Sequence, residues 1–248
     1  MPFFLLSIIF QVALVIHIVK TGRNTTWIWI VVVLPLAGSI AYLSIEVLPS
    51  LGQSRNGRTA VRKVSSAFNP NRDLKLAQDQ FERNDTIDNK MKLANELLNK
   101  QQFEQARDLF RACLTGLYIT DPYIMLGLAK AQFACEQIAE AKTTLDQLIE
   151  HNPNFKDHSG HLLYARCLEG LDNNDEAAHE YQTLCQYYAG PEAKYRYALL
   201  CIKMDKPHIA KELFDEILLD AKNGGAHYNS VHKEWISQTR AQYAALKV

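Results

Sequence analysis

The sequence predicts an all-α protein: a hairpin of two apolar helices, then a right-handed superhelix of about four helical hairpins closed by a C-terminal capping helix. Three observations carry this. Two uncharged apolar runs stand near the N-terminus, 2–19 and 27–45. A pair of alanines twelve residues apart recurs four times along the rest. Proline and glycine punctuate that recurrence where hairpins would turn.

Each apolar run has close to the roughly 20 residues that an α-helix needs to cross a hydrocarbon core. Trp27, Trp29 and Tyr42 stand where interfacial aromatics are found. A short basic link, Lys20 to Thr26, forces an antiparallel pair, and 1–48 is therefore expected to be a transmembrane hairpin. The first run lacks the basic start and small-residue cleavage site of a signal peptide. Ala37, Gly38, Ser39 and Ala41 would let the helices approach closely, with Gln11, His17 and Glu46 as interfacial or helix-pairing residues.

Charge is distributed unevenly, although the formal total is zero. Residues 1–72 hold seven Lys or Arg and one acid, a surplus of +6 that leaves −6 on residues 73–248. Residues 49–72, with five basic residues, read as a flexible basic linker able to lie against anionic lipid. The positive-inside tendency then places the following part in the cytoplasm. A net-negative solenoid disfavours nucleic acid as a partner. Five cysteines, odd in number and without metal spacing, read as buried thiols in a reducing compartment.

The segment from Trp27 to Tyr42, with tryptophan, an apolar stretch, Pro35, Gly38 and Tyr42, resembles the N-terminal membrane region of bacterial cardiolipin synthases. That resemblance implies a bacterial inner-membrane, multi-pass anchor. It carries no catalytic residue over, because the His-x-Lys motifs of the phospholipase D domain do not occur: Val19 follows His17 two positions on, and Glu234 follows His232.

Residues 73–248 are expected to form the solenoid, preceded by a short helix from Asn71 to Arg83 with Leu74, Ala77 and Phe81 on one face. Ala106, Ala141, Ala177 and Ala210 lie 35, 36 and 33 residues apart, and Ala94, Ala129, Ala165 and Ala198 precede them. Four residues after the later alanines stand Phe110, Leu145, Tyr181 and Phe214. Just before the earlier ones stand Leu93, Leu128, Tyr164 and Tyr197. Two helices crossing at alanine approach closely, and the bulky residue a turn later fills the space beside the crossing. This pattern resembles the tetratricopeptide repeat, with its period of about 34 residues and small residues at its eighth and twentieth positions. A cap at 231–246 is expected to turn Val231, Trp235 and Leu246 inward.

The resemblance implies a binding groove lined by the first helix of every hairpin. Its candidate residues are Met91, Lys92 and Asn95, then Leu126 and Lys130, Leu162 and Arg166, and Tyr195 and Arg196. Cations beside apolar residues suit a protein segment that is both acidic and apolar. The set with which some tetratricopeptide proteins clamp a chaperone tail matches only at Asn95; Met91, Gly127, Ser159 and Leu163 hold the other positions.

Nothing in the sequence points to an enzyme or a cofactor: there is no phosphate loop, nucleophile elbow or zinc-protease motif. His158 and His161 beside Asp157 read as solvent-exposed residues at a helix start, not as metal ligands. The functional expectation is a membrane-anchored protein-interaction scaffold. The alternative is a regulatory subunit of a membrane lipid-synthesis enzyme such as a cardiolipin synthase.

Overall fold

The computed structural model describes residues 2–22, 24–47 and 71–246. These contain fourteen α-helices, a π-helical turn at Leu43–Val47, a 3-10 turn at Gly116–Tyr118, and no strand among the described residues. The chain divides into two compact units between Asp73 and Leu74.

In the first unit, α1 (Pro2–Lys20) pairs with α2 (Thr26–Val33) and α3 (Pro35–Tyr42). Leu14, Ile18, Val31 and Tyr42 form a small core. Two polar bonds lock the pairing: Gln11 donates to the Val31 carbonyl at 2.9 Å, and His17 Nδ1 meets the Tyr42 hydroxyl at 2.9 Å. Phe10, Val12, Ile16, Val19, Trp29, Val32 and Val33 stay largely exposed.

The expected transmembrane hairpin is not what forms. The second apolar run is not one helix, because Leu34 takes φ −120° and ψ 81° ahead of Pro35. A residue before proline is pushed out of the helical region, and proline itself brings no amide hydrogen. Two eight-residue helices result, each about 12 Å long against a hydrocarbon core of roughly 30 Å. Gly38, expected to bring the two runs together, lies instead against the Ile30 carbonyl across the α2–α3 break, where an added Cβ would come within 2.2 Å. Among the described residues no helix, α1 included, is long and apolar enough to cross a membrane. The multi-pass inner-membrane location, and the cytoplasmic orientation deduced from it, are therefore withdrawn. The basic linker lies outside the described residues except for its last two positions.

The second unit opens within α4 (Arg72–Arg83), whose Ala77 is buried and whose Leu74 and Phe81 pack on the core beside it. Four helix pairs follow: α5 (Ile87–Asn99) with α6 (Phe103–Cys113), α7 (Pro122–Ala134) with α8 (Ile138–His151), α9 (His158–Gly170) with α10 (Asn174–Leu184), and α11 (Glu192–Lys203) with α12 (Pro207–Asn223). All eight alanines of the recurrent pair are fully buried, and Phe110, Leu145, Tyr181 and Phe214 are at most 3% exposed.

Local chemistry sets the helix ends. Side chains cap the first helices of three repeats: Thr86 accepts from Asn89 N, Asp121 from Tyr123 N and Ile124 N, and Asp157 from Gly160 N. Within each pair the first helix ends on a left-handed residue that is not glycine: Gln101, Glu136, Asp172 and Asp205, with φ of 60, 63, 60 and 57°. The next amide reaches back five residues to a carbonyl at 2.8–3.0 Å in every repeat, from Gln102 to Leu97, Gln137 to Gln132, Asn173 to Leu168 and Lys206 to Cys201. This closure satisfies a carbonyl that the helix end would otherwise leave unpaired.

After α12 come α13 (Gly225–Val231) and the cap, α14 (Lys233–Ala245). Trp235, Tyr243 and Leu246 pack on the last repeat, and Ile236 and Thr239 are buried. Val231 is 61% exposed, contrary to the sequence expectation, because the chain turns at His232 and leaves Val231 at the end of α13.

Candidate functional site

The first helices of the repeats carry the nine residues singled out from the sequence, and their surroundings differ. On α5, Met91 packs against the core, exposed Lys92 pairs with Asp88 at 2.5 Å, and Asn95 donates to the Met91 carbonyl at 2.8 Å. Both polar contacts stay within α5. Leu126, Leu162 and Tyr195 are only 5, 5 and 6% exposed and belong to the inter-helix cores. Tyr195 faces the cap, 5.6 Å from the Trp235 ring and 6.1 Å from Phe214.

The cations are arranged differently from a simple ladder. Lys130 lies near Asp157, the N-cap of α9. Burial works to raise the Asp157 pKa, but bonds from Ser159 and Gly160, aided by Lys130, bring the carboxyl below its ordinary value. Arg166 stacks on Phe133, its guanidinium carbon 4.4 Å from the ring centroid, and makes no ion pair or hydrogen bond among the described residues. Burial and then the neighbouring Arg196 lower its pKa, against smaller opposing effects of Tyr181 and Glu192. Arg196 is supported on both sides: Nε donates to Glu192 at 2.9 Å, and the guanidinium lies 5.2 Å from the Trp235 ring centroid. Beneath this pair, the fully buried Tyr181 donates to Glu169 at 2.7 Å, and burial with that carboxylate pushes its pKa up. The structure thus joins Arg166 to Arg196 across α9 and α11, with aromatic support from Phe133 and Trp235.

Residues 97–160 match the tetratricopeptide repeat family. The second unit has a tetratricopeptide-like solenoid fold. Two solved structures share the fold: a thermophilic TPR protein of Thermus thermophilus (TM-score 0.53, 17% identity, 70% of this chain and 88% of that one) and MamA from Desulfovibrio magneticus (TM-score 0.57, 12% identity, 68% and 95%). At these identities the likeness concerns fold alone. No curated protein matches the chain. The resemblance of the N-terminal segment to cardiolipin synthases, and the lipid-enzyme role and lipid partner drawn from it, are without support. Tetratricopeptide folds are protein-interaction scaffolds, generally without catalytic activity of their own.

One cluster escaped the sequence reading. His158 opens α9 and is exposed as expected, but His161 is half-buried and bonded at both ring nitrogens, to Glu180 Oε2 at 2.6 Å and to the Tyr187 hydroxyl. Its partners lie 19 and 26 residues away, beyond any local motif. Among the described residues no group of three or more His, Cys, Asp or Glu is placed to hold a metal.

Proposed function

We propose that the solenoid is a non-enzymatic scaffold that holds an acidic, partly apolar segment of another protein along the first helices of repeats 2 to 4. The observation that carries this is Arg166: a half-buried guanidinium with no anionic partner among the described residues, braced on Phe133 and set beside Arg196. Two adjacent cations repel each other, so a carboxylate arriving between them gains two charge-assisted bonds and relieves that repulsion. Lys130, one repeat earlier, extends the positive strip. Partly exposed Phe133 and Trp235 supply apolar surface for the neighbouring side chains.

The test is a fluorescence-anisotropy titration of the full chain with short peptides that alternate Asp or Glu with Leu or Phe. Reversal of Lys130 and Arg166 to Glu should lower the unfolding midpoint somewhat, because Arg166 is half-buried on Phe133 and Lys130 supports Asp157, so binding is compared at a temperature at which circular dichroism shows both proteins folded. It should weaken binding by about 2–5 kcal/mol if a desolvated cation–carboxylate contact is lost. Equal affinity of the wild-type chain and the double variant would place recognition elsewhere.

A further inference from the structure

Packing between successive repeats is uneven. At the junction of repeats 1 and 2, α6 presses so closely on α7 that a Cβ at Gly127 would lie 2.4 Å from the Phe110 ring. The junction between α8 and α9 is the most sparsely packed of the three, and a cleft of about 720 Å³ opens there. That volume lies within the range of small-ligand and side-chain pockets, roughly 300–1,000 Å³.

Gly160 of α9 lies close against Leu126, where an added Cβ would come within 3.1 Å, and the gap opens beside His161, which is bonded towards α10 and its following turn, not towards α8. The floor is apolar, made of Leu126, Leu145 and Leu148. At the mouth stand Ile149, 52% exposed, and Phe155, packed edge-to-face at 5.3 Å on the exposed ring of Tyr123. One wall is polar. His161 meets the Tyr187 hydroxyl at Nδ1 and Oε2 of the Glu180 carboxylate at Nε2. Asp157, the other acid of the lining, is taken up by Ser159 and Gly160, and the one lysine, Lys156, is exposed.

We propose that this cleft is a second binding site, for a partner segment that presents an aromatic or aliphatic side chain next to a basic one. The apolar group enters between Leu126, Leu145 and Leu148, and the ammonium or guanidinium group pairs with Glu180. The net −6 of residues 73–248 favours approach of such a segment. Its charge preference is opposite to that of the Arg166–Arg196 strip, and it does not depend on that strip.

The probe is acetyl-phenylalanyl-lysine amide, titrated into the methyl-labelled full chain and followed by NMR. The expected result is saturable shifts of the Ile149, Leu126, Leu145 and Leu148 methyls. Acetyl-phenylalanyl-glutamate amide should bind about tenfold more weakly, and Glu180→Gln should remove about tenfold for the lysine peptide, as one partly exposed charge-assisted pair would give. Glu180→Gln keeps an oxygen that can accept from His161, so an unchanged circular dichroism spectrum accompanies the result. Arg196→Gln, which alters the strip but leaves Lys130 and Asp157 in place, should bind the lysine peptide undiminished. Absence of cleft shifts, equal binding of the two peptides, or indifference to Glu180→Gln would each overturn the proposal.

Discussion

Gly127→Ala tests the packing of repeat 1 on repeat 2 at a single atom. The new Cβ would lie 2.4, 2.6 and 2.8 Å from Cε1, Cζ and Cδ1 of Phe110, a ring only 1% exposed. Carbon atoms rest at about 3.5–4.0 Å, so the ring must move by about 1 Å into occupied space. Overpacking of this kind costs about 1–3 kcal/mol, whereas alanine in place of a helical glycine gains about 1 kcal/mol. The net expectation is a loss of about 0–2 kcal/mol. A double-mutant cycle isolates the clash: in a Phe110→Leu background the ring is gone, and the same glycine change should stabilise by about 1 kcal/mol. Urea midpoints and slopes of the four proteins, read by circular dichroism, give the coupling, expected at about 1–3 kcal/mol. If Gly127→Ala stabilises both backgrounds equally, the ring has room and the close junction is not as described.

Other changes test separate features. Ala141→Leu, at a fully buried helix crossing, should lose about 1–3 kcal/mol in the same denaturation assay, and an unchanged midpoint would mean that the crossing lies elsewhere. Glu136→Gly, at φ 63°, should gain about 0.5–1 kcal/mol by relieving a left-handed residue, whereas Glu136→Val should destabilise. Asp157→Ala removes the α9 cap and should lose about 1 kcal/mol at pH 7. Because the folded-state pKa of Asp157 lies below its unfolded value, this contribution is present above the unfolded value of about 4 and disappears as pH falls through the folded one. The gap between variant and wild type should therefore close in acid, and a gap independent of pH would contradict the assignment. Burial pushes the Cys167 and Cys185 thiols up to about 11, so alkylation at pH 7.5 should be slow until urea is added.

The repeat architecture was legible because its signal is steric. Alanine stands at eight fully buried crossings, where a larger side chain would push the helices apart, and sequence displays that recurrence directly. The left-handed residues gave no such signal: Gln101, Glu136, Asp172 and Asp205 share a backbone conformation but not a side chain, and none is the glycine that a sequence reading looks for. The second apolar run misled for the converse reason. Its hydrophobicity is continuous from Trp27 to Leu34, yet Pro35 governs the backbone of the residue before it. Of the candidate groove, the charges Lys130, Arg166 and Arg196 were recognisable from repeat position. Their neighbours were not, since the aromatic under Arg166 comes from the preceding repeat and that beside Arg196 from the cap. The cleft was invisible because it arises from the direction in which His161 is held by Glu180 and Tyr187, residues far from it in sequence.

The sparse junction between α8 and α9 also bears on how the array comes apart. In a solenoid each repeat is stabilised only by its neighbours, so cooperativity is the product of its individual junctions. The cleft at the centre marks a boundary between two blocks, one ending at α8 and the other beginning at α9 with the cap behind it. Under load or in mild denaturant these blocks should part before either melts, and amide exchange should show two protection levels with their boundary near Asn152. A ligand that fills the gap would splice the blocks into one cooperative unit, turning occupancy of a small cleft into stiffness along the whole array.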